Sequence, residues 1–374
     1  MNSRAAAGKI PSLDGLRCIA ILLVFLSHVQ MASGVSRFIP GSFGVTLFFF
    51  LSGYLITTLM RVEAEQTGDL SIRLFYIRRA LRILPAFVLV LGCATLYGLH
   101  AGLVDPWMLF GQLMQITNYL IIWHGWTAEI APYTDVYWSL AVEEHFYLAF
   151  PALFIALWRV RSRGEIAAWL LGACLVVMVW RCILTFGLGA SPDRTYLGTD
   201  TRIDSILFGC VLALWGNPVL DPTRFAERTW KRLLLPLSVA VIVATFAADR
   251  PFRESVGYTI QGLCLFSVFV TAVRYPDWAP MRVLGWWPVR WIGVLSYAIY
   301  LVHPSMLAVS AWLVGTSFLP LTLMATTLTL VASAGIYFAV ERPMGRLRQL
   351  YSVGSQPADP SRSTGSRLKG ALNR

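Results

Sequence analysis

The residues best able to do chemistry lie where lipid would be expected. The segment SLDGLRCIAILLVFLSHV places Arg17 and His28 eleven positions apart in an otherwise apolar run. On a helix turning ~100° per residue, that spacing returns His28 to within about 20° of Arg17, three turns and roughly 16 Å further along. A guanidinium and an imidazole then share one face. Imidazole is the side chain whose ordinary titration lies nearest neutrality, which suits general-base work on a hydroxyl. The plainer alternative has Arg17 snorkelling to one interface and His28 resting at the other. The spacing is compatible with both.

FYIRRALRILPAF, in the connection after the second apolar run, sets Arg79 and Arg82 at i, i+3, hence on one face if helical. Two guanidinium forks on one face suit a phosphate-bearing ligand; the alternative is ordinary basic charge beside a membrane. YTDVYWSLAVEEHFYLAFP carries Glu143, Glu144 and His145 in consecutive positions of an apolar segment. Such groups cost several kcal/mol there if unpaired, so they mark either a site or an interhelical ion pair. Arg17, Arg181 and Arg202 are the partners expected for the glutamates. Arg202 and Asp204, His303 before Pro304, and Glu341 with Arg342 are weaker signals. Each reads first as a packing, kink or ion-pair residue.

These groups need a scaffold, and composition says which kind. Of 374 residues 56% are hydrophobic and 14% charged, with a mean hydropathy of +0.62; soluble domains carry roughly 25% charged residues. The expected fold is all-α, a polytopic integral membrane protein of about ten transmembrane helices. Candidate spans are 13–31, 43–60, 84–103, 136–157, 166–186, 203–217, 233–249, 257–273, 291–311 and 319–340. With the N-terminus inside and sides alternating, the inside segments hold 24 Lys/Arg and the outside segments 5, while Arg17 and Arg181 fall within spans. That asymmetry places both termini in the cytoplasm.

The net charge of +11 is dispersed in clusters between apolar runs, so it speaks for the membrane rather than for nucleic acid. The six cysteines show no metal-ligand or disulfide spacing. No GxSxG, Walker-type loop or HExxH is present. The first apolar run holds Asp14 and Arg17 and has no cleavage-type end, so it reads as a retained helix. The 104–135 connection, without Lys or Arg, is expected to lie against the membrane surface. Two regions are expected: a transmembrane domain over 1–345 and a disordered basic cytoplasmic tail over 346–374.

Taken together, these motifs resemble the acyltransferase 3 family, which includes bacterial O-acetyltransferases of surface glycans. The opening helix with its basic residue and histidine, FGVTLFFFLSGYLIT, the R-x-x-R of Arg79 and Arg82, YWSLAVEEHFYLAFP, LSYAIYLVHP and VERP match in order over about 11–345. His145 stands where glutamine is commoner in the family. The resemblance implies a protein of the bacterial cytoplasmic (inner) membrane with no permanently bound cofactor and no metal. It implies an acyl-CoA donor, acetyl-CoA first, entering from the cytoplasm, and a hydroxyl of a sugar or glycan as acceptor. Lipopolysaccharide, capsule, exopolysaccharide, an antibiotic sugar and a lipid-linked intermediate all remain open. Arg17, Arg79 and Arg82 would then hold the phosphates of CoA. His28 would be the general base, with Glu143 or Glu144 orienting or stabilising its imidazole; an acyl-histidine is the other chemistry. A transporter or flippase of lipid-linked glycans is the competing reading, although no related halves are visible in the chain.

Overall fold

The computed structural model describes residues 10–36, 38–126 and 129–351. They form ten principal helices: α1 (Pro11–Ala32), α2 (Gly41–Thr67), α3 (Ile72–His100), α4 (Trp138–Trp158), α5 (Arg163–Cys182), α6 (Thr199–Leu214), α7 (Leu235–Ala247), α8 (Tyr258–Arg274), α9 (Trp287–Val314) and α10 (Phe318–Ile336). Each expected span overlaps one of them. Among the described residues, nine helices, counting the turns that prolong them, are long and apolar enough to cross a membrane.

The exception is α6, at 16 residues. It rises only ~24 Å, short of a ~30 Å hydrocarbon core. Lipid does not set its length, because α6 is the buried centre of the bundle. From Thr201 to Leu214 every residue but Ile203 is buried. Gly209 of α6 meets α2 so closely that a Cβ there would stand 2.1 Å from the Phe50 carbonyl oxygen, and one on Gly53 would stand 1.9 Å from that of Ile206. Close backbone approach through small residues is the usual way to bring helices together where water offers no hydrophobic drive.

Buried charge locks the same centre. Arg181, fully buried on α5, pairs with Asp204 of α6 at 2.8 Å and donates to the carbonyls of Thr201 and Ser255. The expected pairing of Arg181 with the α4 glutamates is therefore not formed; a carboxylate one helix away takes it. Arg202 does not reach them either. Its guanidinium carbon stacks 3.6 Å above the Tyr258 ring, and its Nη2 donates to Thr46. At the basic end of the bundle, Arg61 of α2 binds Asp221 through both terminal nitrogens and donates to the Ala213 carbonyl. That ties the exit of α6 to α2.

Helix α3 begins twelve residues before the expected span. Ser71 caps it by accepting from the Leu74 N–H, so Arg79 and Arg82 lie on its first turns rather than in a loop. The 104–135 connection holds two short helices, Pro106–Leu113 and Thr117–His124. Trp107 and Trp123 are exposed there at 80% and 67%, as an interfacial segment requires. After α10 the helix runs on through Glu341 and Arg342 to Gln349, past the expected boundary at 345. The rest of the expected tail, 352–374, lies outside the described residues.

Candidate active site

Two cavities open between the helices. The inner one is walled by α1, α2, α3, α4 and α9. Arg17, Arg79 and Arg82 line it together with Glu143, Glu144 and Tyr147. Local structure explains the convergence. The i, i+3 spacing turns Arg79 and Arg82 to one side of α3. Glu143 and Tyr147 sit at i, i+4 on α4, and the Tyr147 hydroxyl donates to Glu143 Oε2 at 2.5 Å. The Arg79 guanidinium carbon lies 4.9 Å from the centre of the Tyr147 ring, a cation–π contact. Arg17 is held by Asp14 at 3.1 Å. Among the described residues, neither Arg79 nor Arg82 has a carboxylate within ion-pair distance, so both keep charge for a ligand.

The outer cavity is the larger of the two. His28 lines it with Gln30, Trp126, Trp138, Asp193 and Tyr258. The Trp126 indole donates to Asp193 at 2.9 Å, which fastens the connection before α4 over one side. Aromatic faces mixed with carboxylates and amides suit a ligand carrying many hydroxyls. His28 Nδ1 lies 2.8 Å from the Val24 carbonyl oxygen. A carbonyl can only accept, so Nδ1 bears the hydrogen and Nε2 is the basic nitrogen.

The two cavities share Val45 of α2 and Tyr300 of α9 in their walls. Tyr300 is fixed there: its hydroxyl donates to the Val136 carbonyl at 2.6 Å and lies 2.6 Å from Ser139 Oγ. Arg17 and His28 therefore stand on either side of this shared wall, both carried by α1. The structure brings the sequence-derived residues together in two groups, with Arg17, Arg79, Arg82, Glu143 and Glu144 within and His28 beyond. It does not bring the glutamates to the imidazole. The expectation that Glu143 or Glu144 orients His28 is corrected: the Val24 carbonyl, four residues back on the same helix, performs that task. His145 faces elsewhere, with Nδ1 2.7 Å from Thr199 Oγ1. Tyr147 and Tyr300 were not singled out from sequence, because a tyrosine in an apolar helix resembles any interfacial aromatic. Among the described residues no group of histidine, cysteine and acidic side chains could hold a metal ion.

Comparison with known proteins shows the family of the chain. Residues 10–340 match an acyltransferase domain family, acyltransferase 3. The peptidoglycan O-acetyltransferase OatA of Listeria monocytogenes is 30% identical over 323 residues, 81% of this chain and 50% of that protein. The putative peptidoglycan O-acetyltransferase YrhL of Bacillus subtilis is 31% identical over 322 residues, 80% of this chain and 49% of that protein. A putative O-acetyltransferase of Staphylococcus aureus is 28% identical over 313 residues, 79% of this chain and 50% of that protein. The chain thus spans about half the length of the curated relatives it matches. No solved structure matches it. With ten bundled helices and the family match covering nearly all of them, the chain is a multi-pass membrane protein that belongs to the acyltransferase 3 family.

Proposed function

We propose that the protein is a transmembrane O-acyltransferase of the bacterial cytoplasmic membrane, moving an acyl group, acetyl first, from acyl-CoA to a hydroxyl of a glycan. One observation carries this reading: Arg17 and His28 of a single helix line two cavities that have Val45 and Tyr300 in common in their walls. The 24-to-5 charge asymmetry supports a cytoplasmic side for the inner cavity, where acyl-CoA is found. The phosphates of CoA bind Arg79 and Arg82 at its mouth, with Arg17 deeper. The pantetheine arm runs between α3 and α4, where Glu143 and Glu144 accept from its amide N–H groups. The thioester reaches the shared wall beside Tyr300.

The acceptor occupies the outer cavity. His28 Nε2 takes the proton of its hydroxyl as the oxygen attacks the thioester carbonyl carbon. The carbon–sulfur bond breaks, the CoA thiolate leaves and takes that proton, and His28 is restored. Attack needs the reacting atoms about 3–3.5 Å apart, which the shared wall must deliver. The names of OatA and YrhL make a peptidoglycan-type glycan the first acceptor to try.

The test is transfer by the purified protein in detergent or nanodiscs, with acetyl-CoA and muropeptides, read by mass spectrometry. Wild type should add an acetyl group, and His28→Ala should not, while acetyl-CoA still raises the melting temperature of both. Full transfer by His28→Ala would remove the mechanism. Glycan movement across the membrane without CoA dependence would favour the flippase reading instead.

A further inference from the structure

His28 has a neighbour that the reaction above leaves unused. On α9 the ring of His303 lies 5.0 Å from the ring of His28, centre to centre, at 66°. His303 is completely buried. Its Nδ1 lies 2.8 Å from the Tyr300 carbonyl oxygen and 3.1 Å from that of Ile299. As for His28, those oxygens can only accept, so Nδ1 carries the hydrogen and Nε2 is a bare lone pair. That Nε2 is buried and has no hydrogen-bond partner. A buried acceptor kept without a donor is a standing cost. The adjacent group that turns into a new donor during catalysis is His28, once its Nε2 has been protonated.

We propose that His303 is a positioning residue whose Nε2 accepts from the protonated His28, so that an imidazole pair holds the proton drawn from the acceptor. The inference rests on His28 being the base. The acceptor's O–H bond breaks and the His28 Nε2–H bond forms. That N–H is shared with the His303 lone pair while the oxygen attacks. When the carbon–sulfur bond breaks, the thiolate takes the proton and both rings return to their starting tautomers. Catalytic hydrogen bonds commonly tighten only in the reacting complex, so the open His303 Nε2 is the expected resting state.

The surroundings leave this task to His303. Helix α10, packed beside Phe25, Val29 and Leu307, has no charged residue between Phe318 and Ile336, and neither has α2 between positions 41 and 60. Among the described residues, the charged groups that line the outer cavity with His28 are Asp135, Asp193, Glu254, Arg250 and Arg253, with the phenols of Tyr196, Tyr258 and Tyr300. Arg250 already pairs with Glu254 at 2.7 Å and with Asp193 at 3.6 Å.

The test is the pH–rate profile of acetyl transfer for wild type, His303→Phe and His303→Gln, with His28→Ala as control. A base must be neutral to work, so the rate should fall on the acid side, where the base is protonated. Removing a partner of the protonated form makes protonation harder, so His303→Phe should move the acid limb to lower pH, by about one unit for a lost charge-assisted hydrogen bond. His303→Gln, whose amide oxygen accepts, should bring the limb most of the way back. If the His303→Phe limb overlies wild type, whatever its overall rate, His303 only packs and the inference fails. If His303→Phe does not accumulate in membranes, His303→Met fills the site with a weak acceptor and is read in the same way. Full activity in His28→Ala would instead overturn the proposed base itself, which is a separate outcome.

Discussion

Val45→Phe should separate donor binding from transfer. Val45 is buried, on the second turn of α2, and it faces both cavities. Tyr300, the other residue common to both walls, is held by Val136 and Ser139 and cannot swing aside without breaking two hydrogen bonds. A phenyl ring at position 45 therefore adds bulk at the wall common to both cavities, where the proposed route brings the thioester. Overpacking of this kind costs about 1–3 kcal/mol of stability. Its larger effect is on geometry. A misplacement of about 1 Å at the reacting atoms costs about a hundredfold in rate, close to 2.7 kcal/mol of barrier. Arg79 and Arg82 lie nearer the basic end and keep their positions. The assay pairs initial rates of acetyl transfer with the acetyl-CoA dependence of the melting temperature. The expected result is a loss of about a hundredfold in rate with donor affinity within a few-fold of wild type. Wild-type transfer by Val45→Phe would show that the chemistry does not pass this shared wall, and the two-cavity argument would fall.

Other perturbations probe the remaining parts. Arg79→Leu should weaken acetyl-CoA by about tenfold or more, from a lost charge-assisted contact of about 1.5–3 kcal/mol, and Arg82→Leu, exposed at the mouth, should weaken it less; calorimetric titration would compare them. Arg181→Leu leaves Asp204 buried without its cation and should cost about 3–5 kcal/mol. Thermal unfolding of the solubilised protein would register that loss, and an unchanged midpoint would contradict it. Incubation with acetyl-CoA and no acceptor should leave His28 unmodified if transfer is direct; an acetylated His28 peptide after rapid quenching would establish the acyl-histidine route.

The way residues divide between the two cavities shows what was legible beforehand. Arg17 and His28 are related by the pitch of one helix, which needs no other part of the chain, so their common face follows from an eleven-residue spacing alone. Apolar run lengths and the distribution of basic residues likewise determine the ten helices, because lipid thickness and membrane insertion act on local segments. The exception is α6: its run of 203–217 reads as a span like the others, while its role as the buried centre depends on Gly53 meeting Ile206 and Gly209 meeting Phe50 between helices far apart in the chain.

Partners across helices were not legible. Asp204 was as visible a partner for Arg181 as the glutamates were, and only packing chose between them. The carboxylates of α4 could be seen as ionisable groups in lipid, yet nothing local says that they face Arg79 and not His28. His303, read as a packing or kink residue beside Pro304, comes to lie against His28 because α9 packs along α1 with a Cβ-free contact, where Gly293 meets the Asp14 backbone. The sequence by itself determined the helices and the residues sharing a face, since periodicity and hydropathy are properties of single segments. Tertiary structure alone decided which faces meet, because the burial and pairing energies that select one packing arise between segments distant along the chain.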